Sequence, residues 1–104
     1  LTSIGNDFGY EYIFERQVEA LAKNIDVVIG ISTSGKSLNV INGLIKASEI
    51  GCSTIGLSGS DTEVMNQYCD VNIAVASADT PRIQEMHIVI GHIICQIIDQ
   101  EFKD

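Results

Sequence analysis

The stretch ISTSGKS, residues 31–37, sets Ser32, Thr33, Ser34 and Ser37 around one glycine, Gly35. Hydroxyls crowded in this way can brace and cap a turn. They can also serve as neutral donors to an anion, with the glycine letting the backbone approach it closely. Phosphate suits such a loop, because backbone N–H groups bind it without any lysine. A second set of chemically able residues lies at 82–92, RIQEMHIVIGH, with Gln84, Glu85, His87 and His92. A neutral histidine moves protons near pH 7 and is also the commonest metal ligand. On an apolar helix a satisfied core or interface histidine is the usual case. Both readings stand for each set at this point.

The hydroxyl loop takes its meaning from its flanks. Asp26 to Gly30 begins a short, apolar, β-branched run, the pattern of a strand buried on both faces, which implies a parallel sheet. SLNVINGLIKASEI, 37–50, places Leu38, Ile41, Leu44, Ile45 and Ala47 on one helical side, and Gly51 closes it as a C-terminal cap. The loop therefore joins the carboxyl end of a strand to the amino end of a helix. Ligands of open parallel sheets sit at that end. The helix offers unpaired first-turn N–H groups and the positive end of its dipole there. Ser37 as a plain N-cap is the competing account. The loop fits neither G-x-G-x-x-G nor G-x-x-x-x-G-K-[ST], so dinucleotide and P-loop sites are not expected.

The rest of the chain alternates in the same manner. Residues 10–23 read as a helix, with Asp7 as candidate N-cap. Residues 52–59 and 70–75 read as strands, 61–67 as a short helix or turn, and 57–61 (LSGSD) as a helix-capping loop. Residues 77–81 read as a loop holding Pro81, and a final helix runs from Arg82 to near Phe102. The order α, β, α, β, α, β, α with short connections implies a layered α/β sandwich, a parallel sheet with helices on both faces. Three strands make a narrow sheet and the chain opens on Leu1, so residues 1–104 are expected to be one domain from a longer protein. The last helix is apolar almost all round and needs a partner beyond the sheet, which implies an oligomer.

Composition bounds the remaining choices. With 45% hydrophobic and 19% charged residues, the 104-residue chain is globular. A net charge of −8 with six Lys and Arg argues against a nucleic-acid or anionic membrane surface. The apolar run 86–98 is too short and too polar for a membrane span. Cys52, Cys69 and Cys95 form no C-x-x-C pair, and free thiols in a reducing cytoplasm are expected.

ISTSGKS between an apolar strand and a helix resembles the phosphosugar-binding loop of SIS (sugar isomerase) domains. GNDFGYEYIFERQVEAL, 5–21, and TPRIQEMHIVIGHIICQIID, 80–99, resemble the bacterial phosphoheptose isomerases of that superfamily. The likeness runs nearly end to end and corresponds to roughly the C-terminal half of a family member. It implies a three-layer α/β/α, flavodoxin-like fold here lacking its N-terminal helices and first strand. It implies isomerisation of sedoheptulose 7-phosphate to D-glycero-D-manno-heptose 7-phosphate, in a homotetramer with active sites between subunits. It assigns Ser32, Thr33, Ser34 and Ser37 to the phosphate and Asp7 to the sugar hydroxyls. It gives His92 and Gln84 a catalytic or zinc-binding role. The family's other catalytic His and Glu, on an N-terminal helix, have no counterpart here, so these 104 residues alone are expected to be inactive. Lys36 stands where Asn is frequent. Pro81 precedes Arg82 where some members carry a substrate-contacting Asp, and that role is not carried over. Non-catalytic relatives, including one that binds a replication initiator, make a regulatory protein the alternative.

Helix geometry qualifies the metal role. Glu85 and His92 share a helical face and His87 lies off it. His92 stands about 12 Å along the helix from Gln84, whereas ligands of one zinc converge at about 2 Å from it. Either the helix breaks near Gly91, or the two serve different subunits, or one acts through substrate or water.

Overall fold

The computed structural model describes residues 10–103. A 3-10 turn at Tyr10–Tyr12 leads into α1 (Ile13–Leu21), followed by β1 (Val27–Ile31), α2 (Leu38–Ile50) and β2 (Ser53–Ser58). Then come α3 (Glu63–Tyr68), β3 (Val71–Ala74) and α4 (Thr80–Glu101). The strands form one parallel sheet in the order β1-β2-β3, with Gly30 opposite Gly56 and Leu57 opposite Ile73. The chain is α/β with a parallel sheet, as its alternating pattern implies.

Right-handed crossovers put α2 and α3 on one face of this sheet. The glycines show how closely they approach: a Cβ on Gly30 would stand 2.9 Å from Leu44, and one on Gly56 2.9 Å from Met65. Ile41, Leu44 and Met65 form the buried cluster there, with Val28, Val40, Ile45, Val64, Tyr68 and Cys69 packed around it. α1 lies against α2, where Phe14 meets Gly43. Thr54 pins the start of β3: its N–H donates to the Asp70 carboxylate at 2.9 Å, and Asp70 N–H donates to Thr54 Oγ1 at 3.0 Å.

Helix ends follow their chemistry. Gly51 caps α2 in the left-handed region at φ 101°, where its N–H reaches Ala47 O and Ser48 O. α4 begins at Thr80, inside the stretch expected to be loop. Pro81 sits in the first turn, where its missing N–H would have had no helical partner anyway.

The other face of the sheet is mostly open among the described residues. Val27, Ile29 and Ile31 of β1 point there and are exposed. α4 begins the covering layer. It runs over the carboxyl ends of β1 and β2 on the side of Ile31, and only Ile83 and His87 of its residues are buried.

Candidate functional site

The hydroxyl loop is built around Ser32. Its N–H donates to Leu57 O at 2.9 Å, which carries the β1–β2 ladder one residue past the strand. Its hydroxyl accepts from Gly35 N–H at 3.0 Å and donates to Ser37 Oγ at 3.0 Å, with Ser34 Oγ 3.4 Å away. Ser32 is buried, so it organises the turn from within. Gly35 takes φ +71°, and a Cβ there would stand 2.6 Å from Asp61 O. That contact, with the Lys36–Asp61 ion pair at 3.1 Å, braces the loop on the segment following β2.

Ser37 occupies the N-cap position of α2 but makes no side-chain cap. Its hydroxyl is engaged by Ser32 instead. The N–H groups of Leu38 and Asn39 consequently find no acceptor among the described residues. Unpaired donors at the positive end of a helix are what an anion requires. The plain capping account of Ser37 therefore does not describe the loop.

This loop forms one wall of a cleft of about 590 Å3, lined by Ile31, Ser32, Thr33, Ser37, Gln84, His87 and Ile88. Gln84, His87 and Ile88 enter from α4. Three- and four-residue spacing puts them on one face of that helix. Volume and lining are those of a small-molecule site, with a few polar groups among apolar ones. Lys36 is not part of the lining and is held by Asp61, so the polar groups on the loop wall are neutral.

His87 is the candidate that sequence spacing leaves without a place in the site. It is buried, and its Nε2 lies 2.9 Å from Ser58 O. A carbonyl only accepts, so Nε2 carries a proton. Nδ1 is buried without a hydrogen-bond partner. Helical spacing puts His87 off the face shared by Glu85 and His92. Comparing it with Gln84, one turn earlier, would have placed it on the same wall. The LSGSD segment does not cap a helix with its serines, since Thr62 precedes α3 and makes no side-chain cap. Its contribution is the Ser58 carbonyl that receives His87.

The expected site residues divide. Ser32, Thr33, Ser37 and Gln84 come together. Ser34 lies beside the cleft, where its Oγ accepts from Lys36 N–H at 3.1 Å. His92 is exposed, farther along α4 and outside the cleft lining. Asp7 lies outside the described residues. α4 runs unbroken past Gly91, so a break there does not bring Gln84 and His92 together. No group of three or more His, Cys, Asp or Glu able to hold a metal occurs among the described residues. Gln84 and His92 of one chain do not by themselves fit a zinc ion.

The SIS domain family matches residues 1–91. A phosphoheptose isomerase of Aliarcobacter butzleri is 63% identical over 103 residues, which are 99% of this chain and 54% of that protein. Phosphoheptose isomerase 1 of Campylobacter jejuni is 58% identical over 102 residues, covering 98% and 55%. Among solved structures, a phosphoheptose isomerase from Neisseria gonorrhoeae superposes with a TM-score of 0.89 at 43% identity, over 95% of this chain and 56% of that one. One from Francisella tularensis gives 0.90 at 36% identity, over 95% and 53%. The chain spans about half the length of these relatives. A parallel sheet that ends in a braced hydroxyl loop at a helix amino terminus is therefore accompanied by family likeness along nearly the whole chain, and the chain belongs to the SIS domain family.

Proposed function

We propose that this chain is the phosphosugar-binding portion of an aldose–ketose isomerase that converts sedoheptulose 7-phosphate to D-glycero-D-manno-heptose 7-phosphate, in bacterial heptose biosynthesis. The observation that carries the proposal is the cleft between the hydroxyl loop and α4. There Thr33 and Ser37, directly before the amino end of α2, share the lining with Gln84. The names of the curated relatives, phosphoheptose isomerases at 63% and 58% identity, supply the substrate. In this reading the loop holds the phosphate and the sugar runs toward α4.

The reaction moves a proton between adjacent carbons through an enediol or enediolate. It needs a base at carbon, a proton shuttle at oxygen and donors for the developing oxyanion. His92 is the proposed acid/base group. Its exposure and its distance from this chain's cleft support a site completed between subunits, in a homotetramer. The apolar exposed stripe of α4, with Val89, Ile93 and Ile97, supports the same assembly. Zinc, which acts as a Lewis acid on carbonyl oxygens, belongs to the proposal only with ligands beyond the described residues. The location proposed is the cytoplasm, consistent with free cysteines and with no described helix long and apolar enough to cross a membrane.

His92 lies outside the cleft, which also keeps a non-catalytic phosphosugar-binding or regulatory protein in play. An isomerase assay of the intact protein with sedoheptulose 7-phosphate, with and without zinc, separates the two. Turnover is expected. Absence of turnover by folded, assembled protein that still binds the sugar phosphate would establish the regulatory reading instead.

A further inference from the structure

The long α4 buries two side chains, Ile83 and His87, and both meet the body at the same place. A Cβ on Gly59 would stand 2.6 Å from Ile83 Cδ1 and 2.8 Å from Thr33 O, so glycine at this position lets α4 settle directly onto the hydroxyl loop. One residue earlier, Ser58 O accepts from His87 Nε2–H at 2.9 Å. Gln84 stands one turn before His87 on the same wall of the cleft, and no hydrogen bond among the described residues holds its side chain.

We propose that His87 is a positioning residue. Its bond to Ser58 latches α4 onto the carboxyl end of β2 and so holds Gln84 across the cleft from Thr33 and Ser37. The proposal rests on the phosphosugar reading of that cleft. An apolar anchor would fill the same space without stranding a nitrogen, yet Nδ1 of His87 is buried with no partner. Buried unpaired polar atoms are rare and are tolerated where the group has a task. Here the task is the directional Nε2–H bond, which packing alone cannot supply. The latch fixes the sugar end of the cleft and leaves the phosphate end, formed by the loop and α2, as it is.

The test uses the intact protein and its His87→Leu, His87→Gln, Gln84→Ala and Gln84→Ala/His87→Leu variants. Each is titrated with sedoheptulose 7-phosphate and, separately, with inorganic phosphate. His87→Leu is expected to weaken sugar-phosphate binding about five- to tenfold, the scale of one directed hydrogen bond. Inorganic phosphate binding is expected to be unchanged. In the Gln84→Ala background His87→Leu is expected to add nothing, because both act through one contact. His87→Gln, whose amide N–H can reach Ser58 O, is expected to restore affinity. Equal losses for both ligands, or additive losses in the double variant, would overturn the proposal. Hydrogen exchange of residues 82–88 provides a readout without ligand. It is expected to quicken in His87→Leu and recover in His87→Gln, and unchanged exchange would also overturn the latch. Failure of the wild-type protein to bind the sugar phosphate would count against the proposed function, while the exchange experiment still decides the latch.

Discussion

Ser32 shows how much of the hydroxyl loop is scaffold. Its side chain joins Gly35 N–H to Ser37 Oγ from a buried position. Ser32→Ala leaves Gly35 N–H with only the longer 3.2 Å contact to Ser32 O and releases Ser37. A loss of about 1–2 kcal/mol is expected, read from the urea midpoint of the intact protein, with weaker phosphate binding. Ser34→Ala removes an exposed bond from Lys36 N–H and a long 3.4 Å contact with Ser32 Oγ, and a change within about 0.5 kcal/mol is expected. Gly35→Ala meets both a left-handed backbone and the Asp61 carbonyl, so about 2 kcal/mol or more is expected. The sequence shows four hydroxyls without ranking them, because rank depends on which one faces inward. Cys69 carries the pH-dependent prediction. Burial, and secondarily the Asp70 charge, raises its thiol above the ordinary range. The thiolate is the reactive form, so its alkylation should rise with pH later than that of an unstructured peptide thiol. A coincident pH profile would show that neither cause operates.

At the level of elements, α4 hangs on a short anchor. Ile83→Ala empties a position that is 2% exposed, beside Gly59, and about 2–4 kcal/mol of stability should be lost. Thermal denaturation of the intact protein measures it, and a loss below about 1 kcal/mol would mean that α4 is held elsewhere. The elements themselves were legible because their periods differ. β1 and β2 are apolar runs ending at hydroxyl or glycine turns, and α2 carries a clear apolar side closed by Gly51. The sequence pattern starts α4 at Arg82, whereas it begins at Thr80, because the first helical turn accepts Pro81. The partner of His87 was not legible, for a tertiary reason. That partner is a backbone carbonyl of β2, and no residue type at position 58 announces a carbonyl pointing at α4. The reach between Gln84 and His92 was legible from helical rise alone, and the unbroken helix leaves them apart.

At the scale of the whole molecule, two apolar surfaces remain open among the described residues: the β1 face with Val27, Ile29 and Ile31, and the outer stripe of α4 with Val89, Ile93 and Ile97. Surfaces of this kind mark interaction sites in globular proteins. The proposed assembly gives α4 a second duty, since His92 would serve a cleft to which another copy contributes the hydroxyl loop. That arrangement makes two defects complementary. A Ser37→Ala subunit keeps His92 and loses its phosphate wall, while a His92→Ala subunit keeps the wall and loses the proton shuttle. Each variant alone should be nearly inactive with sedoheptulose 7-phosphate. Unfolded together and refolded as mixed oligomers, some sites would pair a sound loop from one subunit with a sound His92 from the other. Activity should therefore reappear in the mixture, with light scattering confirming the same mass as the wild-type assembly. If mixed oligomers of correct mass stay inactive, His92 and the loop work within one chain, and the long separation along α4 must be closed by a movement of that helix. Ile97→Glu supplies the control, because a charge on the outer stripe should break the assembly and abolish complementation without touching either defect.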